Sequence, residues 1–115
     1  MNKSREILKQ FWGFNSFRPL QEDIVDSVIY GHDTLAILPT GGGKSLCYQV
    51  PALLHSGLTL VISPLISLMK DQVDQLKADG VAAECVNSTM SREALINVYN
   101  RMHSGDLKLV YVSPE

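Results

Sequence analysis

Hydrophobic and polar positions along the chain change period in a regular way. Ile7, Leu8, Phe11 and Trp12 fall on one helical face, with Ser4 or Asn2 as cap and Gly13 as stop. A second helix is predicted from Pro19, because the fixed φ of proline suits a first turn, and Ile24, Val25, Val28 and Ile29 form its apolar stripe. After a turn at Gly31 to Asp33, a short aliphatic run from Thr34 to Leu38 predicts a strand, and a helix is expected from Lys44 towards His55. Leu58 to Ile62 reads as a second strand. Leu65, Leu68, Met69, Val73 and Leu76 then recur at helical spacing up to Gly80. Val81 to Val86 predicts a third strand. Ser91 is placed to cap a helix carrying Leu95, Val98, Tyr99 and Met102, with Glu93 at its positive end, and Leu107 to Val112 is a fourth strand.

Strands alternating with helices at this rhythm imply right-handed crossovers and a mainly parallel sheet. The strands are nearly continuous apolar runs, the pattern of strands covered on both faces. The expected fold is a three-layer α/β architecture preceded by two helices.

Composition narrows the class. The chain has 115 residues, 45% hydrophobic and 19% charged, which suits one small globular domain. Its longest aliphatic stretch stops at Pro39, far short of the roughly 20 residues of a membrane span. No signal-peptide core follows Met1, so a cytoplasmic protein is expected. Cys47 and Cys85 lack the closely spaced partners of a zinc site and read as buried thiols in a reduced compartment. His32, His55 and His103 have no ligand partner at metal spacing either. A net charge of −2 gives no electrostatic footprint for nucleic acid, so such binding would have to come from local geometry.

The chemistry concentrates in "LPTGGGKSLCYQ", Leu38 to Gln49. Thr40, Gly41, Gly42 and Gly43 lie between a predicted strand and a predicted helix. Glycines there let backbone N–H groups approach anionic oxygens, and the helix terminus adds its dipole. Lys44 would reach the β- and γ-phosphates as a mobile charge, and Ser45 would offer its hydroxyl to Mg²⁺. The alternative is a glycine-rich turn holding a chance Gly-Lys-Ser, against which the strand-to-helix setting argues. Leu38 stands where the general phosphate-loop pattern has its first glycine.

"FRPLQ" (Phe17 to Gln21), "LPTGGGKSLCYQVPAL" (Leu38 to Leu53), "VISPLISLMKDQVDQL" (Val61 to Leu76), "NST" (Asn87 to Thr89) and "YVSPE" (Tyr111 to Glu115) follow one another in order. Together they resemble the N-terminal part of RecQ-family DNA helicases of superfamily 2, over nearly the whole chain. In that family an aliphatic residue or Met commonly occupies the Leu38 position. The resemblance implies an incomplete RecA-like domain: residues 1–33 form N-terminal helices with an adenine-recognition motif, and residues 34–115 form the first half of the ATP-binding domain. It implies a DNA-repair and recombination enzyme unwinding DNA 3′ to 5′, in the cytoplasm or on the nucleoid of a bacterium.

The same resemblance assigns roles. Gln21 would bond the adenine edge, with Phe14 and Arg18 stacking on the base. Phe14 stands where many relatives have Tyr; core packing is the competing reading for Phe14 and Phe17. The stretch Ser63 to Gln72 resembles the motif that grips the DNA backbone. There Ser63, Pro64 and Leu65 open a helix with free N–H groups and Lys70 lies near a phosphate. Leu65, Leu68 and Met69 also fit a core stripe. Asn87, Ser88 and Thr89 would touch DNA backbone as well, unless they form only a polar turn capping the next helix.

ATP hydrolysis further needs an acid at the end of an apolar strand and usually an arginine finger. Leu58 to Ile62 runs into Ser63, Val81 to Val86 into Asn87, and Leu107 to Val112 into Ser113, Pro114 and Glu115, so that Glu115 is displaced. In the family these parts and the second RecA-like domain lie downstream. The chain alone is therefore expected to bind Mg·ATP and single-stranded or partly duplex DNA at most, and not to unwind DNA. A nucleotide-dependent switch without motor activity is the alternative. A small-molecule kinase is poorer, because Arg5, Arg18, Arg92 and Arg101 are scattered rather than gathered in a lid.

Overall fold

The computed structural model describes residues 3–36 and 44–113. Two compact units appear, Met1–Ser56 and Gly57–Glu115. The first is helical: α1 (Lys3–Trp12), α2 (Gln21–Ile29) and α3 (Leu46–Leu54). Leu8, Val25 and Val50, one from each helix, are fully buried against one another, with Ile7, Trp12, Phe17, Ile29 and Leu46 around them. Phe17 is thus a core residue.

On the surface, Arg5 of α1 donates to both carboxylate oxygens of Glu22 on α2, at 2.6 and 2.8 Å. That hydrogen bond holds the Glu22 carboxyl below its ordinary range, against the opposing effect of partial desolvation. A depressed pKa means that the pair stabilises the fold above the unfolded-state value and that the contribution is lost as pH falls through the folded-state one. The melting difference between wild type and Glu22→Gln is therefore expected to be present at neutral pH. It should shrink to nothing as acid protonates Glu22; a constant difference across an acid titration would contradict the linkage.

The second unit is α/β: β1 (Thr59–Ile62), α4 (Ile66–Ala78), β2 (Ala83–Val86), α5 (Arg92–Ser104) and β3 (Leu109–Val112). The three strands are parallel in the order β1-β3-β2. The chain crosses from β1 over β3 to β2, then returns to the middle. Right-handed crossovers in opposite directions put their helices on opposite faces, which makes three layers. Val98 of α5 packs with Leu107 and Val110 on one face. Met69, Val73 and Leu76, spaced four and three apart, are the buried stripe of α4.

Chain-end chemistry sets the helix limits. The Ser91 hydroxyl accepts from Ala94 N–H at 3.1 Å, capping α5 as expected. At the end of α4, Gly80 takes φ 88°. There Val81 N–H reaches Leu76 O at 2.9 Å and Gly80 N–H reaches Lys77 O at 3.1 Å, the paired bonds of a Schellman turn. That turn consumes Val81, so β2 begins only at Ala83. Glu84 on β2 accepts from Lys77 of α4 at 2.5 Å and from Arg101 of α5 at 3.1 Å, tying both helices to the strand between them. Each pair is partly exposed and is worth no more than about 1 kcal/mol.

Several sequence expectations are corrected. The second helix starts at Gln21, not Pro19, because Leu20 has φ 73° and cannot be helical. Thr34, Leu35 and Ala36 are not in a strand, and Leu35 is 89% exposed. An apolar run becomes a strand only with a ladder partner, and these residues have none among those described; Ile37 and Leu38 lie outside the described residues. Leu65 and Leu68 are exposed rather than core, since Leu65 precedes the first turn of α4 and Leu68 is rotated about 100° from Met69. Tyr99, beside Val98, is turned outward for the same reason. Nor is β1 covered on both faces: Leu60 and Ile62 are exposed where Thr59 and Val61 are half-buried.

Candidate functional site

In the helical unit, Arg18, Pro19, Leu20 and Gln21 form a tight turn that opens α2. Gln21 N–H donates to Arg18 O at 3.1 Å, and Gln21 Oε1 accepts from Arg18 N–H at 2.7 Å. The Gln21 carboxamide is therefore buried and oriented by backbone, while Phe14 and Arg18 are exposed beside it in sequence. An exposed aromatic ring has a face to offer a ligand. Core packing does not account for Phe14.

Lys44 and Ser45 sit at the amino end of α3. Lys44 is exposed; its carbonyl accepts from Cys47 N–H at 3.1 Å, and the Ser45 carbonyl accepts from Gln49 N–H at 3.0 Å. Ser45 is already helical, at φ −61° and ψ −38°, and its hydroxyl makes no capping bond to the helix. Thr40, Gly41, Gly42 and Gly43 lie outside the described residues. A cavity of about 280 Å³ is lined by Lys44 together with Ile24, Val28, Ala36 and Cys47. Cys47 is a buried wall residue, and burial pushes its thiol up. A hydroxyl oxygen such as that of Ser45 suits Mg²⁺, which takes few protein ligands and completes its shell with phosphate and water. No cluster of three or more His, Cys, Asp or Glu side chains able to hold a metal occurs among the described residues.

In the α/β unit the register gathers the other expected residues along the carboxyl edge of the sheet. Ile62, Val112 and Val86 are aligned across the three strands. Ser63, Ser113 and Asn87 follow them in one row, fixed by Ser63 N–H to Val112 O at 3.0 Å and Ser113 N–H to Val86 O at 3.1 Å. Ser63 Oγ accepts from Leu65 N–H at 3.3 Å, which leaves Pro64 and Leu65 exposed as the chain turns into α4. Lys70 is exposed one turn further on. Asn87 is buried, and its Oδ1 accepts from both the N–H (2.9 Å) and the hydroxyl of Thr89. It shapes the loop, while Ser88 and Thr89 are the exposed members. The turn does not cap α5; Ser91 does. Ser113, the middle of the row, was not singled out by sequence reasoning, because only the strand order shows that β3 is central.

Ligands of open α/β sheets gather at this carboxyl edge, and a row of small polar side chains beside a helix amino end offers hydrogen bonds without base-reading shape. Among the described residues no helix is long and apolar enough to cross a membrane.

Known proteins resemble the chain throughout. The family model described as DEAD/DEAH box helicase matches residues 18–115. A protein of Haemophilus influenzae named ATP-dependent DNA helicase RecQ is 56% identical over 95% of this chain, which covers 18% of that protein. One of Bacillus subtilis named probable ATP-dependent DNA helicase RecS is 49% identical over 100% of the chain and 23% of its own length. The chain thus spans about a fifth of these relatives. Among solved structures, a hypothetical ATP-dependent RNA helicase from Sulfolobus tokodaii superposes with a TM-score of 0.77 at 23% identity, over 99% of this chain and 34% of that one. That likeness is one of fold.

Proposed function

Since the chain belongs to the DEAD/DEAH box helicase family, we propose that it is the nucleotide-gripping part of a RecQ-type, ATP-dependent DNA helicase acting 3′ to 5′. The observation that carries this reading is the pairing of Lys44 and Ser45 at the start of α3 with the Arg18–Gln21 turn in the same compact unit. One end would take phosphates and the other a base.

In this reading Lys44 binds the β- and γ-phosphate oxygens, with Thr40, Gly41, Gly42 and Gly43 supplying backbone N–H groups. The Ser45 hydroxyl is a ligand of Mg²⁺, which when bound neutralises phosphate charge. Gln21 recognises the adenine edge, and Phe14 and Arg18 stack on the base. DNA backbone runs along the carboxyl edge of the sheet, past Ser63, Pro64, Leu65, Lys70 and the Asn87 to Thr89 loop, with Ser113 as a further member of the row. Its single-stranded form suits contacts of this kind, which touch phosphates and sugars but no base edges. The names of the RecQ and RecS relatives support DNA as the polymer.

A titration of the chain with a fluorescent ATP analogue tests the reading. Saturable binding that requires Mg²⁺ is expected, with ATP displacing the probe well and GTP poorly. Equal displacement by ATP and GTP would remove the adenine site, and no binding at all would remove the phosphate site too.

A further inference from the structure

Leu20 stands on a backbone that its side chain makes costly. Its φ of 73° and ψ of −22° match the third residue of a type II turn, a place that glycine or asparagine takes readily and a leucine does not. Pro19 precedes it where that turn favours proline. The turn is closed twice, by Gln21 N–H on Arg18 O at 3.1 Å and by Arg18 N–H on Gln21 Oε1 at 2.7 Å. These opposed bonds hold Leu20 in place as the one non-glycine residue with positive φ among those described.

The strain is not offset by full burial, since Leu20 is 60% exposed. Strained backbone persists where the surroundings over-determine it, and such positions cluster at ligand sites. Here the strained residue directly precedes the buried Gln21 and lies two positions after the exposed Arg18. A branched apolar side chain presented to solvent at that spot supplies what neither neighbour can, a non-polar surface for the face of a flat ring.

We propose that Leu20 is a further residue of the base site, its side chain packing on the adenosine portion of bound ATP. This rests on the nucleotide reading above and adds to it a contact that acts on the adenosine and not on the phosphates.

Leu20→Gly is the diagnostic change, because glycine keeps φ positive without steric cost and removes only the side chain. In Mg²⁺, its affinity for ATP is expected to fall about three- to tenfold, the effect of losing a partly buried leucine contact. Inorganic tripolyphosphate, which has no base, is expected to bind variant and wild type alike. Wild-type affinity for ATP in Leu20→Gly, or an equal loss for ATP and tripolyphosphate, overturns the proposal. Circular dichroism checks the fold, and Leu20→Asn, which also tolerates positive φ, provides the same comparison should the glycine variant not fold. Lys44→Ala and Phe14→Ala, titrated in parallel, separate the two readings. If both bind ATP as wild type does, the nucleotide site is wrong and this contact falls with it. If both weaken ATP and Leu20→Gly does not, the Leu20 contact alone is wrong.

Discussion

Lys44→Ala is expected to weaken Mg·ATP binding by about one to two orders of magnitude and to leave the melting temperature where it is. The size follows from the bond removed: a hydrogen bond to a charged group contributes about 1.5–3 kcal/mol, and each 1.4 kcal/mol or so is a factor of ten in affinity. The lack of a stability effect follows from position. Lys44 is exposed, and its structural contribution is through its backbone carbonyl, which accepts from Cys47 N–H and survives the substitution. Isothermal titration at fixed Mg²⁺ measures the first quantity and differential scanning the second. Unchanged affinity would mean that the lysine does not face the phosphates. A large drop in melting temperature would mean instead that the exposed amine supports the fold.

The largest stability effect is expected from Leu109→Ala. Leu109 is fully buried on the central strand, between Thr59 of β1 and Ala83 of β2. Its side chain stands on the sheet face opposite Val110, and removing it leaves a cavity on that face above hydrogen-bonded strands that cannot shift to fill it, so the cost is expected at about 2–5 kcal/mol. Small domains are stable by only about 5–15 kcal/mol, so this is a large share of the whole. Leu60→Ala is the control. The residue is the same and the strand is adjacent, but Leu60 is 58% exposed, and a shift within about 0.5 kcal/mol is expected. Urea unfolding followed by far-ultraviolet circular dichroism compares the two. Fluorescence of Trp12 does not serve, because that residue lies in the helical unit.

Elements whose ends carry their own chemistry were legible in the sequence. Ser91 announces α5 by its capping hydroxyl, and Gly80 ends α4 by taking a positive φ. Aliphatic runs broken by turns mark β1, β2 and β3. The parallel sheet follows from the alternation of periods, and Ser63 and Asn87, the residues that end the strand runs, come together in one row.

The rest depended on partners that a one-dimensional pattern does not contain. Leu20 breaks the start of α2 by adopting a turn that its residue type disfavours, held by Gln21 bonding back to Arg18. Thr34 to Ala36 had the composition of a strand but no ladder partner among the described residues. Leu65, Leu68 and Tyr99 fitted an apolar period and still faced outward, because spacing gives the width of a stripe but not its rotation against the sheet. Ser113 became visible only once β3 was placed between β1 and β2.

The ion pairs at Glu84 give the sheet a direction of growth. At the β2 edge, a strand arriving alongside would have to disturb Lys77 and Arg101, brought in from the helices on either side, and strip water from three charges. The strand at the other edge, β1, carries no charged residue. The stretch from Gly57 to Met69 contains no charged residue, and Leu60 and Ile62 offer bare aliphatic surface. Lateral extension is therefore opposed at the β2 edge, whereas an approach along β1 meets no charge on that strand.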